Sequence, residues 1–204
     1  MLAAVVGCGF VALAENGLAA QETIRYELDA GKSQFSVMAY STGLLKTFGH
    51  DHVIAIRDFT GETHLAPDSD LPVSVTIVIR AGSLTVTDKN VSESDRRKIE
   101  GDMHGKVLET NLYPQIVFRS TRIMGQKTPK GAAHLQITGD LTLHGVTRPI
   151  HFEAEAERHG NQVRTSGAFS IRQTDHKIKP ISVAGGSVRV KDELSCHFEV
   201  LARH

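Results

Sequence analysis

The stretch LQITGDLTLHGVTRPIHFEAEA, residues Leu135 to Ala156, decides the fold. Apolar side chains occupy alternate positions on both sides of the central pair His144-Gly145. Because successive side chains of a strand point to opposite faces, this alternation predicts two strands with one apolar face and one wet face. Such a pattern is typical of an antiparallel sheet that covers an apolar interior on one side only.

Two residues inside this stretch predict how the sheet is shaped. Gly139 interrupts the first arm, and a glycine within a strand often marks a bulge or a bend where a sheet curls to close. Pro149 has no N–H to donate to a neighbouring strand, so we expect it at a strand start or at an edge position.

Composition limits the class of protein. The chain has 204 residues, a formal net charge of zero and no tryptophan. No linker or change of composition divides it, which favours one domain. The absence of a basic stripe and the scarcity of aromatic side chains argue against a nucleic-acid partner.

The N-terminus is the exception to this even composition. The segment Met1 to Ala14, MLAAVVGCGFVALA, is apolar throughout but too short to span a bilayer, which requires about 20 residues. It fits the apolar region of a secretory signal, with cleavage after Ala14 or Ala20. We therefore predict a signal peptide over residues 1–20, a single domain over residues 21–204, and a periplasmic or secreted bacterial protein.

Two alternatives remain open for this N-terminus. The segment is also compatible with an amphipathic or disordered tail. In addition, Val5-Val6-Gly7-Cys8 resembles a bacterial lipobox, in which the cysteine is lipidated, although much of the apolar run here follows Cys8 instead of preceding it.

The rest of the chain predicts many strands and little helix. The one good helix candidate runs from Ser92 to Leu108, with Ser92 or Ser94 as its cap and an apolar stripe at four-residue spacing. Many strands with short connections indicate an all-β barrel or sandwich, and closure would remove exposed edges. The predicted strands are 22–28, 34–40, 53–65 with a break at Gly61, 73–80, 115–123, 132–143, 146–158, 162–173 and 187–202.

Three segments of the chain resemble the YceI-like proteins, a family of secreted bacterial barrels. They are LTLHGVTRPI from Leu141 to Ile150, LETNLYPQIVFRS from Leu108 to Ser120, and YELDAGKSQFSV from Tyr26 to Val37. The resemblance implies an eight-stranded antiparallel lipocalin-like barrel with one or two short helices. It also implies a long apolar tunnel that binds polyisoprenoids and related lipids.

Twelve apolar side chains are the predicted ligand contacts. Alternation alone would favour a solid core built from these residues, whereas the resemblance implies that the barrel is hollow. The predicted set is Phe35, Val37, Phe59, Val75, Ile77, Ile79, Phe118, Leu141, Leu143, Phe152, Phe169 and Phe198.

The sequence His50-Asp51-His52 supports a competing hypothesis. On an extended segment His50 and His52 point the same way and could share a metal ion, with His176, Asp175 or His104 as a third ligand. The alternative interpretation is a structural one, in which a hydrogen-bond cluster ties a loop to the barrel. No motif supports catalysis, and Cys196, on an apolar strand face, is expected to act as a small buried hydrophobe.

The sequence thus predicts a non-enzymatic carrier, without a cofactor, for a long apolar lipid such as a polyisoprenoid, an isoprenoid quinone or a fatty-acyl compound. The alternatives are a metal-binding protein or metal-dependent enzyme that uses His50, His52 and His176, and an interaction module with a solid core. Transient membrane contact and a homodimer both remain open.

Overall fold

The computed structural model describes residues 22–42, 51–67, 69, 71–129, 131–183 and 188–204. Within these residues the chain forms twelve strands and one α-helix, α1, at Glu93–Asp102. No helix in the described ranges is long and apolar enough to cross a membrane. The strands are β1 Ile24–Leu28, β2 Gln34–Thr42, β3 His52–Ile56, β4 Phe59–Leu65, β5 Pro72–Arg80, β6 Leu84–Val86, β7 Gln115–Lys127, β8 Ala133–Leu143, β9 Val146–His159, β10 Gln162–Arg172, β11 Ser182–Val183 and β12 Val188–Arg203.

The strands form one antiparallel sheet that closes on itself. Neighbouring strands follow the order β1-β4-β5-β7-β8-β9-β10-β12, and β12 returns to β1 by pairing Arg203 with Glu27 and Ala202 with Leu28. The result is the eight-stranded antiparallel barrel that the resemblance implied, and it decides between the barrel and the sandwich that the strand pattern left open. Closure leaves no free edge in this ring, which removes the usual risk of edge-to-edge association.

The ring is extended at one end by strands β2, β3 and β6, which bend away from it. Strand β12 pairs with β2 beyond its contact with β1, and the sheet continues through β3 to β6. Short 3₁₀ turns at Ala30–Lys32 and Ala81–Ser83 produce the bends between β1 and β2 and between β5 and β6. The barrel therefore has a narrow end at β1 and β4 and a broader end at β2, β3 and β6.

One predicted break was placed at the wrong residue. The predicted strand 53–65 is interrupted at Arg57-Asp58 and not at Gly61, which lies inside β4. The Asp58 N–H donates to Ser83 Oγ at 3.0 Å, which fixes the chain at the bend. Gly61 has a different role: a Cβ there would lie 2.8 Å from the Thr76 carbonyl oxygen, so glycine allows β4 and β5 to approach closely.

The predicted hairpin is confirmed. Strands β8 and β9 pair along their length, and the turn residues His144 and Gly145 have φ angles of 51° and 69°. Two positive φ angles characterise the hairpin turn whose twist matches that of the strands. The bulge expected at Gly139 lies in the partner strand instead, because the register shifts between Ser120 and Arg122 of β7, opposite Gly139. Pro149 pairs only with β8, because β10 begins to pair with β9 at Ala154.

The predicted helix is shorter than expected. The Ser92 hydroxyl accepts the Asp95 N–H at 3.1 Å and caps α1, which ends at Asp102. A π-helical turn, Met103–Val107, follows it. The widened turn keeps Met103 and Val107 directed toward the barrel, and π-turns of this kind are frequent at functional sites.

Candidate ligand-binding cavity

A cavity of about 700 Å³ occupies the interior of the barrel. Its volume falls within the range of about 300–1,000 Å³ that is common for small-molecule sites. The inward faces of the strands supply its wall. Eleven of the twelve predicted contact residues line it: Phe35, Val37, Val75, Ile77, Ile79, Phe118, Leu141, Leu143, Phe152, Phe169 and Phe198. The structure thus brings these side chains together around one empty space.

Phe59 is the exception among the predicted contacts. It is buried but does not line the cavity. Its ring packs edge-on against Phe35, with 4.8 Å between the ring centroids. Phe59 begins β4 and pairs with Ile79, which lines the cavity, so the two side chains lie on the same face of the sheet. The contact with Phe59 supports the Phe35 ring, and a direct contact of Phe59 with a ligand stays a prediction.

Four phenylalanine rings form an aromatic cluster on one side of the cavity. The Phe152 ring stacks on Phe169 at 4.9 Å and meets Phe118 at 5.6 Å and Phe198 at 5.8 Å. Gly167 makes room for this cluster, because a Cβ there would lie 2.7 Å from the Phe198 ring. Aromatic rings bury a large area in fixed geometry, so this cluster offers a flat, rigid surface to an apolar ligand.

The narrow end of the barrel closes the cavity. Tyr26, Leu65 and Leu135 are at most 1% exposed and pack with Ala133 and Ala156 into a continuous layer. We call Tyr26, Leu65 and Leu135 the floor. Leu135 also lines the cavity, so this buried cluster bounds the cavity at the narrow end.

The broad end carries polar groups and reaches solvent. Exposed side chains of Asn90, Asp95 and Lys98 line the cavity there. We call this end the mouth. The apolar residues Ile99 and Met103 lie beneath the polar groups and extend the hydrophobic wall, as the predicted stripe on the helix suggested.

Hydrogen bonds fix α1 across the mouth. The Glu100 carboxylate accepts the Val86 N–H at 2.8 Å, and the Arg96 guanidinium donates to the Val86 and Asp88 carbonyl oxygens. His104 Nε2 donates to the Leu84 carbonyl oxygen at 3.0 Å. Two polar side chains of α1 and one of the π-helical turn thus hold this segment against β6 and the residues that follow it. Sequence alternation could not identify these contacts, because they depend on how the helix docks.

The histidines that suggested a metal site have protein partners. His52 Nδ1 donates to Asp88 Oδ2 at 2.7 Å, and His176 Nδ1 donates to the Val146 carbonyl oxygen at 3.0 Å. His50 lies outside the described residues. Within the described ranges, no group of three or more His, Cys, Asp or Glu side chains is arranged to hold a metal ion. The His52–Asp88 pair agrees with the structural interpretation of a loop tied to the barrel.

Cys196 lines the cavity, on the inward face of β12. Burial raises the pKa of its thiol to about 12 from an ordinary value of 9.0. A thiol with such a high pKa is almost wholly protonated near neutral pH, and the thiolate is the reactive form of cysteine. Cys196 therefore contributes a small apolar surface to the wall, as the sequence indicated.

An eight-stranded antiparallel barrel around an apolar cavity, closed at one end, defines the class of barrels that enclose one small ligand. Residues 26–202 match the family model of the YceI-like domain, and the chain belongs to that family.

Relatives of known sequence agree with this assignment. A UPF0312 protein of Vibrio parahaemolyticus is 35% identical over 103 residues, which is 50% of this chain and 49% of that protein. This alignment therefore spans about half the length of that relative. A UPF0312 protein of Shewanella sp. strain MR-7 is 29% identical over 186 residues and aligns with 88% of this chain and 87% of that protein.

Solved structures share the fold. BcnA of Burkholderia cenocepacia superposes with a TM-score of 0.64 at 18% identity, covering 85% of this chain and 98% of that chain. A polyisoprenoid binding domain from Saccharophagus degradans, implicated in plant cell wall breakdown, superposes with a TM-score of 0.61 at 15% identity, covering 87% of this chain and 97% of that one. At these identities the similarity establishes the barrel fold alone.

Proposed function

We propose that this protein binds and carries a long apolar lipid, such as a polyisoprenoid, an isoprenoid quinone or a fatty-acyl compound. The observation that carries the proposal is the cavity of about 700 Å³ inside the barrel, walled by aliphatic and aromatic side chains. The polyisoprenoid binding domain from Saccharophagus degradans, which has the same fold, supports this choice of ligand class.

The mechanism is partition of the hydrocarbon chain into the barrel, with no chemical step. Burial of apolar surface contributes about 25 cal/mol per Å² before the costs of association are subtracted. The ligand enters at the mouth, and its tail extends toward the floor. The polar residues Asn90, Asp95 and Lys98 then lie near the head group.

A periplasmic or secreted location completes the proposal. Its support is the apolar segment Met1 to Ala14, followed by small residues. Expression in a bacterial host with its full N-terminus, followed by fractionation and intact-mass measurement, tests it. We expect periplasmic protein that begins after Ala14 or Ala20. Cytoplasmic protein that retains Met1 would contradict this location.

Native mass spectrometry of protein purified from the periplasm without detergent tests lipid binding. We expect an added mass that dissociates as an organic molecule on denaturation. The variant Phe152→Glu places a charge in the aromatic cluster and should lose this mass, because an unpaired charge in an apolar cavity opposes an apolar ligand. The control His151→Glu adds the same side chain one residue earlier, on the exposed face of β9, and should retain it.

The outcomes separate the alternatives. Equal lipid retention by folded Phe152→Glu protein would exclude the aromatic cluster from the binding site. An added metal mass that is lost in His52→Ala protein would support the metal-binding hypothesis instead.

A further inference from the structure

In one part of the barrel wall, two neighbouring strands run side by side without pairing. Strands β9 and β10 pair from the floor end as far as Ala154 and Gly167, and no further pair joins them. Residues 146–153 of β9 and 168–172 of β10 therefore face each other without a ladder of backbone hydrogen bonds. We call this stretch, which runs from the middle of the wall to the mouth, the slit.

Each side of the slit belongs to a sheet that is itself paired. Strand β9 pairs with β8 as far as Val146, and β10 pairs with β12 as far as Arg172. Parting two paired strands would leave backbone N–H and C=O groups without partners, which is costly. At the slit there is no ladder to break, so β9 and β10 can part there while both of their outer pairings stay intact.

The sequence of β9 agrees with this absence of pairing. The Glu153 carbonyl oxygen points toward β10, because it would lie 2.8 Å from a Cβ on Gly167. Backbone groups of alternate residues in a strand point to the same side, so Pro149 presents its backbone to the slit as well. Proline has no N–H to donate, and a ladder with β10 would therefore lack a hydrogen bond there.

Apolar side chains close the slit from the inside. The Phe152 ring stacks on the Phe169 ring, with 4.9 Å between the centroids and 24° between the planes. Ile150 and Ile171 occupy the next inward positions, and all four side chains line the cavity. Such contacts can separate and re-form without leaving a polar group unpaired. The slit therefore opens directly onto the cavity.

A short turn joins the two sides of the slit at the mouth. It is the 3₁₀ turn Gln173–His176, which follows β10 directly. Arg148 Nε donates to the Asp175 carbonyl oxygen at 3.0 Å, and His176 Nδ1 donates to the Val146 carbonyl oxygen at 3.0 Å. We call this turn the latch, because these two hydrogen bonds connect it to β9.

We infer that the barrel wall opens at the slit, so that a hydrocarbon chain passes sideways into the cavity before the stacked rings and the latch close again. This inference rests on the proposed lipid-binding function and names its route of exchange. Entry along the barrel axis would have to displace α1, which Arg96 and Glu100 hold with three hydrogen bonds. Because the slit reaches the mouth, its opening widens the mouth along the wall.

A disulfide across the slit tests the inference. His151→Cys with Ser170→Cys, in protein that also carries Cys8→Ser and Cys196→Ala, places thiols at exposed positions that are opposite each other when the β9–β10 register is continued. Stopped-flow mixing with cis-parinaric acid, a fatty acid that fluoresces in apolar surroundings, measures uptake and release. We expect oxidised protein to exchange this probe at least about tenfold more slowly than reduced protein, which is about 1.4 kcal/mol in activation free energy. The affinity should stay the same, because the slit is closed in the free and the bound protein.

A second disulfide in the same two strands is the control. Glu157→Cys with Arg164→Cys joins two exposed residues that are already opposite each other in the paired part of β9 and β10. Its oxidation should leave the rates of uptake and release unchanged, because this part of the wall does not open.

Loosening the latch should have the opposite effect and does not depend on a cross-link. Arg148→Ala removes one of the two latch hydrogen bonds, so it should accelerate uptake of cis-parinaric acid. The control Arg122→Ala removes an exposed guanidinium from β7, away from the slit, and should leave uptake unchanged.

Each other outcome has a distinct meaning. Equal exchange rates in oxidised and reduced His151→Cys with Ser170→Cys protein, or equal slowing by the control disulfide, would overturn the inference and leave the proposed function standing. Arg148→Ala protein that takes up the probe no faster than Arg122→Ala protein would contradict it as well. Failure of the unaltered protein to bind cis-parinaric acid would instead count against the proposed function itself.

Discussion

The floor and the mouth are the two ends of one barrel, but they are filled in opposite ways. At the floor, Tyr26, Leu65 and Leu135 are almost completely buried in one apolar cluster. At the mouth, the inward side chains surround a cavity, and a polar helix lies across it. Strand pairing differs between the two ends as well. Strands β9 and β10 are paired at the floor end, from Gln162–His159 to Gly167–Ala154, and they are not paired beyond that point toward the mouth. The comparison teaches that tight packing is concentrated at one end, which frees the other end for a ligand.

Truncation at the floor should have the largest effect on stability. Leu135→Ala removes a side chain with no exposed surface, and such changes cost about 2–5 kcal/mol because a cavity remains. Urea unfolding of the ligand-free protein measures this loss. The control Gln136→Ala alters the exposed neighbour on β8 and should change the unfolding free energy by less than about 0.5 kcal/mol. A loss below about 1 kcal/mol in Leu135→Ala would remove the distinction between floor and mouth.

Truncation in the aromatic cluster should cost less, although the side chain is larger. Phe169 is only half-buried and already faces the cavity, so Phe169→Ala should cost roughly half of the 3–5 kcal/mol typical of a fully packed phenylalanine. Urea unfolding beside Ser170→Ala, the exposed neighbour on β10, checks this expectation. A larger loss in Phe169→Ala than in Leu135→Ala would show that the cluster, and not the floor, is the main source of stability. Lipid affinity should fall in Phe169→Ala, because the flat aromatic surface is reduced.

The smallest effect should appear in the chemistry of Cys196. With Cys8 replaced by serine, the labelling of Cys196 by a thiol reagent at pH 8 should be roughly a thousandfold slower than that of an ordinary cysteine, because its pKa of about 12 leaves very little thiolate. Labelling should accelerate about tenfold per pH unit without levelling off near pH 9. A rate that levels off near pH 9 would place this thiol in a solvated setting.

The same thiol links pH to stability. Its pKa is about 12 in the folded chain against an ordinary 9.0, so the folded state holds the proton more tightly. This contribution is complete below pH 9 and declines as the pH rises from 9 toward 12. Cys196→Ala protein should lack this part of the alkaline decline in the unfolding free energy.

The sequence predicted the parts of the fold that depend on local periodicity. The hairpin of β8 and β9 was predictable because inward and outward residues alternate along both strands. Gly139 signalled an irregularity in this part of the sheet, but the bulge itself lies opposite it, at Thr121 of β7. The bend at Arg57-Asp58 was not, because Ser83 and Arg80, which are distant in sequence, fix it through hydrogen bonds to Asp58.

The candidate site likewise has parts that the sequence predicted and parts that it could not predict. Most of the wall followed from alternation, and the helix stripe at Ile99 and Met103 could be read from its spacing. The hydrogen bonds that hold α1 at the mouth could not, since Arg96 and Glu100 reach Val86 and Asp88 only once the helix has docked. Alternation also could not distinguish a solid core from a hollow one. That difference depends on barrel width and on how completely the floor is filled.

The pairing of β1 with β12 has a consequence for the order of folding. It joins Glu27 to Arg203, near the two ends of the described chain, whereas the hairpin of β8 and β9 closes through a two-residue turn. A hairpin forms in about 1–10 μs, but contacts between distant residues must first overcome the entropy of closing a long loop. We expect the hairpin to form early and the β1–β12 seam to close last. Until that seam closes, the barrel is an open sheet and the cavity does not exist, so competence to bind a ligand arises only in the final step.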